Sequence, residues 1–228
     1  MLTITTTDGT HSRPSRTPST TPIVFVVDDD VSVRESLELL ILASGWQSET
    51  FASAQEFLSY PRPSVPSCLI LDVSLPDLSG LDLQKRVAVD RSDMPIIFIT
   101  GCSDVRTTVQ AMKAGAIEFL IKPFREEALV NAIRQALHQS ETALVQLAEM
   151  QTLRGRYACL TRREREGMTF VVSGLLNKQV GGELGISEIT VKAHRGQVMR
   201  KMHAESLPAL VMMAAKLESR TRSALPAL

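Results

Sequence analysis

Cysteine is scarce, long apolar runs are missing, and the formal charges of the 228-residue chain cancel. The three cysteines, Cys68, Cys102 and Cys159, are odd in number, scattered, and lack metal-ligand spacing. That excludes a disulfide framework and a cysteine-built zinc site, and it predicts a reducing compartment. No apolar stretch approaches the ~20 residues that span a bilayer. The first residues also lack the apolar core of a secretory signal, so the expectation is a cytoplasmic protein with no membrane partner. The net charge of zero is an average over two unlike parts. From Arg154 onward there are 13 Lys/Arg against 6 Asp/Glu, which leaves 12 against 19 before it. An acidic front and a basic back suit a cation-dependent site joined to a nucleic-acid-binding module.

Residues 1–22 are rich in Thr, Ser and Pro without apolar periodicity, and they read as a disordered tail. Four short apolar runs follow, Ile23–Val27, Cys68–Leu71, Ile96–Ile99 and Ile117–Ile121, with a weaker one at Ser48–Phe51. Their composition suits strands buried on both faces of a parallel sheet. Between them lie amphipathic segments. Ser32 with Glu35, and Ser53 with Glu56, read as capping boxes, and helices are expected over Leu81–Val89, Asp104–Ala114 and Arg125–Gln139. This alternation predicts a doubly wound α/β sandwich. No Gly or Pro interrupts Phe124 to Arg154. The apolar spacing through Leu129, Ile133, Leu137, Leu144 and Leu147 fits either one helix running on into a linker or two helices broken near His138–Thr142. Beyond residue 155 the pattern is helical and basic. Thr161 to Glu164 forms another capping box, and Asn177, Gly185 and Ser187 punctuate short helices.

In an open α/β sheet, ligands bind beyond the carboxyl ends of the strands. Asp28, Asp29 and Asp30 follow the first run, Asp72 ends the third, Thr100 the fourth, and Lys122 the fifth. Carboxylates gathered there repel one another unless a cation or proton intervenes. A hard divalent ion with oxygen ligands, Mg²⁺, fits that requirement. An Asp carboxylate beside Mg²⁺ and a lysine has the parts to accept a phosphoryl group.

The stretches Val26-Val27-Asp28-Asp29-Asp30, Leu71-Asp72-Val73-Ser74-Leu75-Pro76-Asp77-Leu78-Ser79-Gly80, Ile99-Thr100-Gly101 and Ile121-Lys122-Pro123-Phe124 resemble bacterial response-regulator receivers. The resemblance implies a flavodoxin-like domain with a five-stranded parallel sheet over residues 23–139. It further implies Asp72 as phosphoacceptor, Asp28, Asp29, Asp72 and the Ser74 carbonyl as Mg²⁺ ligands, and Lys122 as the phosphoryl-binding cation. Thr100 and Phe119 resemble the switch pair, Lys122-Pro123 a cis bond, and Asp30 a helix cap. Residues 154–219 resemble the LuxR-type helix-turn-helix, carried by Leu160 to Glu166, Asn177-Lys178-Gln179-Val180, Gly185-Ile186-Ser187 and Thr190-Val191-Lys192-Ala193-His194. This second resemblance implies DNA contacts from Lys178, Ser187, Thr190, Lys192, His194, Arg195, Arg200 and Lys201, with Val191, Val198 and Met202 in the core. Gly167, Gly181, Gly182 and Gly196 depart from the usual pattern, each at a cost on the order of 1 kcal/mol relative to alanine.

Together with a linker helix at 140–153 and a tail at 220–228, the chain looks most like the FixJ/NarL branch of two-component regulators. The partners this implies are a sensor histidine kinase, double-stranded promoter DNA, a second copy on phosphorylation, and RNA polymerase. Catalysis beyond its own phosphoryl transfer and dephosphorylation is not expected. A receiver working without phosphorylation is disfavoured by the intact acidic set, and an independent hydrolase by the lack of a substrate-capping domain.

Overall fold

The structure, a computed structural model, describes residues 21–101 and 104–223, with side chains to residue 218. The expected tails, apart from their inner edges, and Cys102 lie outside the described residues. The chain divides into two compact units, 1–142 and 143–228.

In the first unit five parallel strands form one sheet: β1 (Ile23–Val27), β2 (Gln47–Phe51), β3 (Ser67–Asp72), β4 (Ile96–Thr100) and β5 (Glu118–Ile121), in the order β2-β1-β3-β4-β5. Helices α1 (Val31–Ala43), α2 (Ala54–Ser59), α3 (Gly80–Asp90), α4 (Val105–Lys113) and the start of α5 (Glu126–Ala158) alternate with the strands. Side chains alternate across each strand, so the sheet feeds two cores. Val24, Val26, Ile70 and Ile99 pack with Leu37 and Ile41 of α1 and with Leu129 and Ile133 of α5. Phe25, Val27, Leu69 and Phe98 face the other way, against Phe57 of α2, Leu83 of α3 and Ala111 of α4. Burial on both faces is why these strands read as continuous apolar runs. The edge strands β2 and β5 are the exceptions, with no fully buried residue in either.

Local chemistry sets the helix ends. Ser53 accepts from the Glu56 N–H, as its sequence suggests. At α1 two expectations diverge: the resemblance implies Asp30 as the cap, which the structure shows, and the Ser32–Glu35 pair implies a later start, which needs correction. The cap is Asp30, whose carboxylate accepts from the Ser32 N–H at 2.8 Å, and the helix starts at Val31, before the Ser32–Glu35 pair. α5 is one helix through to Ala158. The polar gap in its apolar face, Ser140, is fully buried, and its hydroxyl accepts from the Ser67 N–H at 3.0 Å. That satisfies a main-chain donor just where β3 begins.

The second unit contains the end of α5, then α6 (Arg162–Val172), α7 (Asn177–Leu184), α8 (Glu188–Met202) and α9 (Leu207–Ser223). Thr161 and Glu164 form the predicted capping box. Gly185 closes α7 in the left-handed conformation at φ 66°, and Ser187 caps α8 by accepting from the Thr190 N–H. Val180, Val191, Val198, Met202 and Leu210 fill the core. Among the described residues, no helix is long and apolar enough to cross a membrane.

Candidate functional site

The chain leaves β1 for β2 at one edge and returns past β1 to β3, so the sheet's direction of winding reverses between β1 and β3. Such a switch point opens a crevice at the carboxyl ends of the strands. Asp28 follows β1 there, and Asp72 is the last residue of β3. Ligand atoms of Asp28, Asp29 and Asp72 all lie within 4.8 Å of one another. Asp28 is only 1 % exposed and Asp72 7 %, whereas Asp29 faces solvent.

The two buried carboxylates are held. One Asp28 oxygen accepts from the Asp30 N–H at 2.9 Å, and the other from the Lys122 ammonium at 2.7 Å. Lys122 also stands 3.9 Å from Asp72. Burial raises the Asp72 carboxyl above its ordinary value, as does the charge of Asp28; Lys122 and the main-chain N–H groups of Val73 and Ser74 pull it back. The Lys122 ammonium reaches two of the three carboxylates, Asp28 and Asp72. The set is hard, oxygen-only and short of positive charge, which suits a divalent cation of the Mg²⁺ class.

The other predicted residues fall around this centre or along α8. Thr100 ends β4 and is buried, its carbonyl accepting the Lys122 N–H at 2.8 Å. Phe119, on β5, is half-buried, with its ring 6.0 Å from that of Phe98. Ser74 is exposed on the loop after β3. The Lys122–Pro123 bond is cis.

Three supporting residues were not singled out from sequence. Arg34 donates to the Asp28 carbonyl at 2.7 Å. The Asp77 carboxylate accepts from the main-chain N–H groups of Ala54 and Gln55, so the loop after β3 caps α2. Gly80 packs so tightly that a Cβ there would lie 2.4 Å from the Asp72 carbonyl oxygen. Local spacing carries no signal for the first two, whose partners lie 6 and 22–23 residues away. For Gly80 the motif was visible and its reason was not.

In the second unit, α8 turns Val191, Val198 and Met202 inward as expected. Ser187, Thr190, Lys192 and Arg200 are exposed along α8 and its cap, and Lys178 is exposed on α7. Lys192 pairs with Glu188 at 3.1 Å, and Arg200 with Gln197. His194 and Arg195 are half-buried beside a small apolar cavity, with Arg195 donating to Asn177 at 3.4 Å. Lys201 donates to the nearly buried Glu164 carboxylate at 2.6 Å, a bond that ties α8 to the capping box of α6. Gly181 has a role its sequence concealed: a Cβ there would sit 2.8 Å from the Ile186 carbonyl oxygen. What read as a helix-weakening substitution is what lets the turn after α7 close against that helix.

Comparison with known proteins agrees with both halves. Residues 24–134 match the response regulator receiver domain family, and residues 158–214 match the bacterial regulatory proteins of the luxR family. Nodulation protein W of Bradyrhizobium diazoefficiens is 47% identical over 196 residues, 86% of each chain. Transcriptional regulatory protein FixJ of the same organism is 39% identical over 191 residues, 84% of this chain and 93% of the relative. A solved structure of the response regulator StyR superposes with a TM-score of 0.74 at 47% identity, covering 86% of this chain and 99% of that one. The chain therefore belongs to the two-component response regulators of the FixJ/NarL family, a receiver followed by a LuxR-type DNA-binding helix-turn-helix.

Proposed function

We propose that Asp72 accepts a phosphoryl group from a sensor histidine kinase, and that the modified receiver switches promoter binding by the helix-turn-helix domain. The observation that carries this reading is the convergence of Asp28, Asp29 and Asp72 within 4.8 Å at the sheet's switch point, with Lys122 as the counter-charge. An Asp72 oxygen forms the new O–P bond while the P–N bond of the kinase phosphohistidine breaks. The imidazole leaves with the electron pair and takes a proton from solvent. Asp28, Asp29, Asp72 and the Ser74 carbonyl would hold Mg²⁺, which when bound neutralises charge on the phosphoryl oxygens.

The protein's own groups do the rest. Lys122 exchanges a carboxylate for a phosphoryl oxygen, the Thr100 hydroxyl bonds the product, and the Phe119 ring repacks in response. Lys178, Ser187, Thr190, Lys192, His194, Arg195 and Arg200 form the DNA-facing set, with paired half-sites bound by a homodimer. Lys201 joins that set at most as a group shared with Glu164. The chain's only chemistry in this scheme is on its own aspartate.

Incubation with Mg²⁺ and acetyl phosphate tests the first step. The expected result is a mass gain of one phosphoryl group that disappears in Asp72→Asn; a gain that survives the substitution overturns the assignment.

A further inference from the structure

The outward face of α8 is chemically unlike its flanks. At about 100° per residue, Ile189, Ala193, Gly196 and Arg200 lie opposite the buried Val191, Val198 and Met202. Ile189 is 80 % exposed. A Cβ built on Gly196 meets nothing within 4 Å, so the domain's own packing does not require glycine there. Glycine also weakens a helix interior. Two choices that the fold does not ask for thus share one face. One places an aliphatic group in water, and the other removes a side chain, letting the helix backbone approach a surface closely.

Polar groups on the flanks, and Arg200 at the far end of the face, have partners within the domain. Ser187 and Thr190 bond each other, Lys192 pairs with Glu188, and Arg200 pairs with Gln197. The first two turns of the face therefore offer contact more than hydrogen bonding. Among base edges in the major groove, the group that answers apolar contact is the C5-methyl of thymine. A second copy of this helix is a poor occupant, because Arg200 on the face and Lys192 beside it would repel their counterparts.

We propose that Ile189 is a specificity residue that reads a thymine methyl in each half-site, with Gly196 giving the helix room to seat deeply. This rests on the reading that α8 enters the major groove. The full-length protein, phosphorylated with acetyl phosphate and Mg²⁺, is used to select a duplex from a random pool. Each thymine is then replaced singly by uracil, which removes the methyl and keeps the pairing. At one position per half-site, uracil is expected to weaken wild-type binding about four-fold, the worth of one buried methyl. Ile189→Ala is expected to bind the two duplexes equally. Retention of the full thymine preference by Ile189→Ala, or no uracil penalty anywhere in wild type, overturns the proposal. Lys192→Ala separates the two levels. If it lowers affinity for the selected duplex, α8 is in the groove and either negative result counts against Ile189 alone. If neither variant changes binding, the placement of α8 falls, and the proposal with it.

Discussion

Each unit of this protein contains one lysine bonded to one nearly buried carboxylate, and the two pairs are close in geometry. Lys122 meets Asp28 at 2.7 Å, and Lys201 meets Glu164 at 2.6 Å. Their surroundings differ. Glu164 also accepts from the Thr161 N–H at 2.7 Å, so its charge is answered by one cation and one main-chain donor, and nothing is left over. Around Lys122 two further carboxylates, Asp29 and Asp72, are held within reach of Asp28. The first arrangement is closed and serves the fold. The second is electrostatically unfinished, and like charges held together in the absence of a counter-ion cost stability. A local motif does not distinguish structure from function here; the charge balance around it does.

The largest test of this contrast removes one member from each pair. Lys201→Met keeps the apolar stem but leaves Glu164 without its cation. We expect a loss of about 2–3 kcal/mol in the second unit, below the ~3–5 of a fully buried pair because Lys201 keeps some access to solvent. Asp28→Asn removes surplus negative charge while Lys122 can turn to Asp72. Without divalent cations the first unit should gain on the order of 1 kcal/mol, as sites strained for function often do when neutralised. Trp46 is the chain's single tryptophan and packs on the first unit's core, so its fluorescence follows that unit during denaturant unfolding. Amide exchange in α6 and α8 follows the other. Equal signs for the two substitutions would break the comparison.

How much of this was readable beforehand depended on where each partner sits in the chain. Strands buried on both faces announce themselves as apolar runs, so the sheet and the polar residues at its ends were legible. Thr161 and Glu164 were legible too, because a capping box closes within one turn. The continuity of α5 was not, because the bond that satisfies its polar residue Ser140 comes from Ser67, 73 positions away. Nor was the bond of Lys201 to Glu164, whose partners lie 37 positions apart and which no local pattern signals. The Ser32–Glu35 pattern misled for a different reason. It imitates a cap, but Asp30 was closer to the strand end and took the position.

Acid sharpens the same contrast with a smaller effect. The hydrogen bond from Lys201 holds the Glu164 carboxyl below its ordinary value, assisted by the Thr161 N–H. A carboxylate depressed in the folded state stabilises above its unfolded pKa and loses that contribution as pH falls through the folded one. The second unit should therefore weaken progressively below about pH 4.5. In Glu164→Gln the acid limb of amide protection in α6 and α8 should flatten. An unchanged limb would mean that the pair contributes nothing through its charge.

A last test concerns packing around glycines, which is tight at one position in each unit and open at another in the second. In the first, Gly80 is pressed against the Asp72 carbonyl, leaving no room for a side chain. In the second, Gly167 is buried in α6, yet a Cβ built there meets nothing within 4 Å and points to space beside a small cavity shared with Met168, Val180 and Val198. Gly167→Ala should therefore stabilise the second unit by about 1 kcal/mol, through helix propensity and a newly buried methyl. Gly181→Ala, which propensity alone would favour equally, should destabilise by about 1–3 kcal/mol, because its methyl meets the Ile186 carbonyl. Denaturant midpoints for the two variants, read by amide exchange in α6 and α7, decide the matter. If both substitutions stabilise, helix propensity governs this domain and the close approach at Gly181 is not a constraint. If only Gly167→Ala does, the DNA-binding unit has slack beside Gly167 and none at Gly181.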